Sequence, residues 1–395
     1  MAMKVIVVGA GRVGRRVAEH LSKRYEVTVV DIRGELIEEL QYFLDVLGVE
    51  GDATLPETLE EAGVGEADYV IATTDNDNVN IIVCSLAKTL SNPKTIARVK
   101  NMDYLHVWGR GRKALGVDLM VCAVPLVARS IINVVDYPEL RFLRNIYGNL
   151  YVGDAVSVPE DTWSVEVGGR KLIVGTIEEI KRSYHPRRPK NVLIMGGSET
   201  GVLLASMLSN KGYDVKLVEK DPQRALYASK KLESAMVIQG DVFDVSLWRE
   251  EGLSEAEVAV ASLGNDSDNL LAGLLAMKLG IERVFSVVHE AFFGDIFEKN
   301  GIFVVSPEVE TADRIVLATK GEHVLGVVSG IPGVTVLAVE VNDALVGKGP
   351  KEVGAVLGPV IREGEIVIPT DEFRLRRGDV VILVVENERL GEIEI

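Results

Sequence analysis

The chain has 395 residues, 47% hydrophobic and 26% charged, with a formal net charge of −16. That length suits two or three domains, and the composition excludes a disordered chain, a collagen and a small disulfide scaffold. Cys84 and Cys122 are the only cysteines, too few for a cysteine-rich zinc site. The acidic balance disfavours nonspecific nucleic-acid binding. No apolar run reaches the ~18 residues of a spanning helix and no signal peptide is legible, so a soluble, reduced, cytosolic protein is expected.

In chain order, short apolar strands are predicted at Val5–Val8, Val27–Val30, Asp45–Val49, Tyr69–Thr73, Thr95–Val99 and Leu119–Cys122. Amphipathic helices such as Gly14–Lys23 and Asn78–Leu90 lie between them. Pro125 opens a further helix, Leu126–Val135. Strand-like stretches follow at Asn149–Gly153 and Lys171–Gly175. The segment Lys181–Lys190 holds five basic residues, two prolines and no acid, which fits a solvated linker or a contact with an acidic partner or membrane surface.

The pattern then starts again. Gly9-Ala10-Gly11-Arg12-Val13-Gly14 after the first strand returns as Gly196-Gly197-Ser198-Glu199-Thr200-Gly201, 187 residues later. Val27–Asp31 pairs with Val215–Glu219 at offset 188, and Gly51-Asp52-Ala53 with Gly240-Asp241-Val242 at offset 189. Asn76, Asp77 and Asn80 pair with Asn265, Asp266 and Asn269, also at 189. A drift of two residues over this span indicates duplication. Pro307 opens a second matching helix, Val309–Thr319, and Val334–Val341, Ile366–Ile368 and Val380–Val385 read as strands of a small α+β domain. The fold class expected is α/β: two Rossmann-like, doubly wound parallel sheets, each followed by a smaller subdomain. The two helices after the sheets are apolar enough to swap or pack against a neighbour, so an oligomer is expected.

Gly9-x-Gly11-x-x-Gly14 follows a strand and opens a helix, the arrangement that brings a phosphate against backbone amides. Asp31 ends the second strand, 17 residues past Gly14. Its carboxylate suits ribose hydroxyls and repels a 2′-phosphate, so NADP is disfavoured. Asp52 and Ala53 follow the third strand, where an adenine lies. Thr73 and Thr74 end the fourth, and Arg98 on the fifth can reach a phosphate or form a surface ion pair. In copy two, Ser198 stands where Gly11 does, and Val287 replaces Arg98. Glu219 keeps the ribose acid. Gly196, Gly197, Ser198, Gly201, Glu219 and Asp241 therefore make a site that binds weakly, differently or not at all. His20 and His185 read as surface residues, and Asp75–Asn78 as a helix cap rather than a cation site. No metal spacing, Ser-His-Asp signature or P-loop is present. Tandem Rossmann domains leave an NAD-dependent oxidoreductase as one alternative.

Two such units, each with Gly-Asp-Ala/Val after the third strand and Asn-Asp-x-x-Asn after the fourth, resemble the TrkA family, the tandem-RCK cytosolic regulators of Trk-type potassium uptake. Arg374–Val381 and Ala344–Lys348 resemble the RCK C-terminal subdomain. The resemblance implies domains at 1–135, 136–185 (a shortened first subdomain and linker), 189–320 and 321–395. It implies a non-enzymatic subunit at the inner face of the cell membrane, assembled as a homo-oligomeric ring under a TrkH- or TrkG-like potassium transporter. NAD(H) or ATP/ADP would set the transporter's state. The site residues it carries are Gly9, Ala10, Gly11, Arg12, Val13, Gly14, Asp31, Asp52, Ala53, Thr73, Thr74, Asn76, Asn80 and Arg98.

Overall fold

The computed structural model describes residues 3–111, 115–167, 169–319, 323–331 and 334–386. The first copy runs β1 (Lys4–Val8), α1 (Arg12–Leu21), β2 (Glu26–Asp31), α2 (Gly34–Phe43), β3 (Leu47–Glu50), α3 (Pro56–Glu61), β4 (Tyr69–Ala72), α4 (Asp77–Leu90), β5 (Lys94–Val99), α5 (Asp103–Gly111) and β6 (Leu119–Cys122). Its six strands are parallel, in the order β3-β2-β1-β4-β5-β6. β1 and β4 lie inside the sheet with helices on both faces, which is why each reads as an unbroken apolar run. β3 begins two residues later than expected, because the Val46 amide closes a tight turn onto the Leu44 carbonyl.

After α6 (Ala123–Val134) comes an antiparallel sheet of β7 (Leu140–Tyr147), β8 (Leu150–Ala155), β9 (Ser164–Val167) and β10 (Arg170–Thr176), in the order β7-β8-β10-β9. α7 (Ile177–Ser183) follows, opened by a capping box between Thr176 and Glu179. The second copy then repeats the first: β11 (Asn191–Met195), α8 (Glu199–Asn210), β12 (Asp214–Glu219), α9 (Pro222–Lys231), β13 (Met236–Gln239), α10 (Val245–Glu250), β14 (Val258–Ala261), α11 (Asp266–Lys278), β15 (Arg283–Val287), α12 (Gly294–Lys299) and β16 (Phe303–Val305). The strand order is again 3-2-1-4-5-6 and parallel. α13 (Pro307–Thr319) leads to a five-stranded sheet of β17 (Val324–Ile331), β18 (Val334–Glu340), β19 (Val356–Arg362), β20 (Glu365–Val367) and β21 (Val380–Glu386).

The chain divides into two compact units, Met1–Ala123 with Glu308–Ile395, and Val124–Pro307. The cuts fall at the starts of α6 and α13, so the helix after each sheet belongs to the other copy's unit. In the second unit Val127, Ile131 and Val134 of α6 share a core with Val192, Ile194, Val215, Val258 and Phe285. Arg283 fixes the end of α6. Its guanidinium donates to the Val135 and Leu140 carbonyls at 2.9 and 3.0 Å and stacks on Phe285 and Phe303, and burial pushes its pKa down to about 10. In the first unit the Tyr69 hydroxyl donates to the Ala318 carbonyl of α13. His20 is half-buried, not a surface residue; burial lowers its pKa, and Asp313 of α13 is one of the charges it feels. Each of the two apolar helices thus packs in the unit of the other copy's sheet.

In the C-terminal sheet Asp379 accepts two hydrogen bonds from the Arg362 guanidinium, at 2.9 and 2.7 Å, and one from the Arg376 amide at 2.8 Å. Burial alone would raise this carboxyl, but these bonds and both arginine charges outweigh it and hold the pKa below the ordinary value.

Two outcomes are expected. Ile131→Ala, which empties space in the second unit's core, should cost about 2–5 kcal/mol. Hydrogen exchange should place the lost protection in strands 191–287, and loss confined to strands 4–99 would contradict the assignment of α6. Because the Asp379 pKa is depressed by folding, its contribution is present above the unfolded value near ~4 and disappears as pH falls through the folded value. Asp379→Asn should make the acid unfolding of β17–β21 shallower; an unchanged acid limb in circular dichroism would contradict this.

Candidate functional site

β1 delivers the chain into Gly9, whose φ of +100° and close approach to Thr74 exclude a side chain. At Gly14 a Cβ would stand 1.8 Å from the Gly9 carbonyl, so glycine lets α1 lie against the loop. Gly11 differs. A Cβ there meets nothing within 4 Å, and its φ of −70° suits any residue. It is the N-cap of α1, and no side chain caps the helix. The approach to the first turn at Gly11 is open, and its N-cap offers no side-chain oxygen to the partial positive charge there.

Asp31 closes the other end. One carboxylate oxygen accepts the Ala10 amide at 2.7 Å, and the other accepts the Arg33 amide at 2.9 Å and its Nε at 3.2 Å. Arg98 lies at the mouth of the loop, 3.4 Å from the Thr73 and Thr74 carbonyls and from Asp75. All three contacts sit at the outer limit of a hydrogen bond. Asp75 also pairs with Lys100 at 3.1 Å. Burial would raise the Asp75 carboxyl, but the Lys100 bond and charge, with Arg98, hold it below its ordinary value. Asp52 folds its carboxylate onto the Thr54 amide and hydroxyl, and the amide bond first, then the hydroxyl, lowers its pKa. Ala53 beside it is buried.

The remaining expected residues build the frame. The Thr73 hydroxyl donates to the Val8 and Gly9 carbonyls. Asn80 is fully buried: its oxygen accepts from the Thr74 amide and hydroxyl, and its nitrogen donates to the Thr74 and Arg98 carbonyls. That exhausts the amide's bonding capacity and leaves nothing for a ligand. Asn76 caps α4 through the Asn78 and Val79 amides, so Asp75–Asn78 is a cap, and Asp77 accepts the Lys100 and Asn101 amides. Copy two repeats the asparagine and aspartate devices. Asn269 bridges Leu263 and Val287, Asn265 caps α11, and Asp266 accepts the His289 and Glu290 amides.

At the phosphate end the copies part. Ser198 is the N-cap of α8, and its hydroxyl accepts the Gly201 amide at 3.1 Å and pairs with Ser262 at 2.7 Å. The side chain that replaces Gly11 supplies the acceptor that α1 lacks. Glu219 holds the Gly197 and Asp221 amides as Asp31 holds its own, and pairs with Arg224 at 2.8 Å. A groove with about 650 Å³ of open volume remains, lined by Ser198, Glu219, Arg224, Asp241 and Ser262 among others. Sequence reasoning missed the roles of Arg33, Asp75, Ser262 and Arg224. Only the Ser198 cap had a signal, a serine directly before a helix.

The family model for the TrkA-N domain matches residues 5–123 and 192–307. The chain therefore belongs to the TrkA family and carries the TrkA-N domain twice. It is 28% identical to the Trk system potassium uptake protein TrkA of Vibrio alginolyticus, over 98% of this chain and 96% of that one. It is 27% identical to TrkA homolog 1 of Methanosarcina mazei, over 99% of both. Among solved structures, the GsuK channel aligns with a TM-score of 0.65 at 19% identity, covering 99% of this chain and 78% of that one. The GsuK channel bound to NAD aligns at 0.64 and 18%, with the same coverage. At these identities the structural likeness speaks for the fold. Among the described residues no helix is long and apolar enough to cross a membrane.

The geometry separates two neighbouring glycines. Gly14→Ala should destabilise the first unit by about 1–3 kcal/mol through overpacking, whereas Gly11→Ala should change stability by less than ~0.5 kcal/mol. Thermal unfolding of both variants tests this; equal losses would mean that Gly11 is also a packing residue.

Proposed function

We propose that this chain is the nucleotide-binding regulatory subunit of a Trk-type potassium uptake system, and that copy one is its sensor. The observation that carries the reading is the open space at Gly11 before an uncapped helix, with Asp31 at the far end of the same loop. In this reading the phosphates of NAD(H), ATP or ADP rest against residues 9–14, Ala10, Arg12 and Val13 included. The ribose bonds to Asp31, whose oxygen bonded to the Ala10 amide retains acceptor capacity, and the adenine lies by Asp52 and Ala53. Arg98 leaves its long contacts with Asp75 for a phosphate, an exchange that costs little because each is already at 3.4 Å. Thr73, Thr74, Asn76 and Asn80 hold the loop in place. Support comes from the full-length Trk relatives, and from solved GsuK structures described as bound to NAD and to ADP.

The chain then acts without chemistry of its own. A ligand that binds one geometry of a homo-oligomeric ring better than another shifts the ring by that difference in affinity. A TrkH- or TrkG-like transporter at the inner face of the membrane reads the shift. Copy two, self-capped by Ser198 and with Val287 in place of Arg98, binds polyphosphates weakly and completes the frame.

The unmodified chain should bind NAD more tightly than NADP, because Asp31 opposes a 2′-phosphate. Arg98→Ala should weaken ADP by about 1.5–3 kcal/mol, the worth of a charge-assisted bond. Titration calorimetry checks both, and equal affinities for NAD and NADP, or an Arg98→Ala protein that binds normally, would contradict the site. Nucleotide-dependent retention by membranes carrying the transporter tests the partner. Hydride transfer to an organic substrate would instead favour an oxidoreductase.

A further inference from the structure

The last turn of α7 and the segment after it carry a charge that neither glycine loop uses. Lys181, Arg182, Arg187, Arg188 and Lys190 are all exposed, as is His185 among them, in a stretch of ten residues with no acid. With the chain at −16, those five cations leave −21 on the rest. The segment is nevertheless anchored. Tyr184 is buried and its hydroxyl donates to the Ser157 carbonyl at 3.0 Å. The Arg187 amide donates to the Asp136 carbonyl at 2.7 Å, and the Lys190 amide to the Glu257 carboxylate at 2.7 Å. Arg188 lies over the Tyr213 ring at 4.4 Å and donates to the Lys211 carbonyl, which brings exposed Lys211 to the same patch.

The backbone is pinned while the cationic heads are left over. Among the described residues no ion pair is formed by the side chains of Lys181, Arg182, Arg187 or Lys190. The acids on the same helix face other partners: Glu178 is bonded to Asn149, with Lys181 acting on it only through space, and Glu179 closes the cap at Thr176. A solvated linker of this composition would be free to disperse its charges. Here two prolines and four anchoring bonds present them together, so little ordering entropy is lost on contact.

We propose that residues 181–190 are a docking surface for the anionic phospholipid headgroups of a bilayer. Clusters of four to eight lysines and arginines at a membrane surface are attracted to an anionic leaflet. Screening over about 10 Å hides most of the distant acidic residues from a surface touched by this patch, so the local charge decides. The proposal does not depend on nucleotide binding, but it fits a protein that works beside a membrane transporter: the patch would hold the chain at the bilayer before and between encounters.

The test is flotation of the full chain with vesicles of phosphatidylcholine alone or mixed with phosphatidylglycerol, without any transporter, at low and high salt. The expected result is binding to the anionic vesicles only, lost at high salt. The combined variant Lys181→Gln, Arg182→Gln, Arg187→Gln, Lys190→Gln should bind them at least ~10-fold more weakly. All four side chains are exposed and lie outside both glycine loops, so the variant should keep its ADP affinity, which separates failure of this proposal from failure of the sensor reading. No binding to anionic vesicles, or a variant that binds as well as the unmodified chain, would overturn it. So would an unmodified chain that ignores the vesicles yet captures polyglutamate through these four residues, since that outcome assigns the patch to an acidic protein.

Discussion

A helix that starts at the end of a buried strand must find acceptors for its first amides, and this chain meets that requirement in two ways. At α8 the Ser198 hydroxyl accepts the Gly201 amide, and the loop is complete without help. At α1 no side chain does so, and Gly11 leaves the approach clear. Val287 also stands where Arg98 does, but the acid and the asparagine of the two loops match. The acid at the end of the second strand holds the loop's second residue, Ala10 or Gly197, at 2.7 Å in both copies. A buried asparagine ties the fourth strand to the fifth in both. The Ser198 hydroxyl therefore gives α8 a side-chain cap that α1 lacks.

The frame around that difference is rigid for reasons unconnected with ligand. Asn80 and Asn269 have spent their bonds on main chain, Asn76 and Asn265 cap the following helices, and Asp77 and Asp266 hold the next loop by two amides each. Such a frame holds the glycine loop in place in the free protein, and a preformed loop loses little ordering entropy on any association. Exchange of α6 and α13 adds a second constraint. Each unit is finished by a helix encoded next to the other copy's sheet, so neither copy has its complete core until both segments are in place.

Much of this was legible in the residues. The duplication gave both sheets, and apolar runs such as Val5–Val8 and Val258–Ala261 became central strands because only a strand buried on both faces is apolar throughout. Asp31 and Glu219 were found from their distance to the glycines, a spacing set by one helix and one strand. The strands Leu140–Tyr147, Ser164–Val167 and Val356–Arg362 were not read: the first mixes charged and apolar residues without clean alternation, the second is four residues long, and the third is interrupted by Gly358-Pro359. The Asp75 contact with Arg98 was also missed, because it joins loops 23 residues apart whose meeting depends on strand order. The family resemblance carries Asn76 and Asn80 as ligand contacts, whereas in the structure Asn76 caps α4 and Asn80 bonds to Thr74 and the Arg98 carbonyl, and an asparagine bridging two loops leaves the same trace in sequence as one that binds.

The central claim is that one loop of the two is built to receive a nucleotide's phosphates. The direct test is the stoichiometry of ADP binding to the full chain by titration calorimetry, beside the same titration of Ser198→Gly. The account predicts one tight site per chain in the unmodified protein, and a second, weaker site when the serine hydroxyl is removed. Two equal tight sites in the unmodified protein, or none, would contradict it.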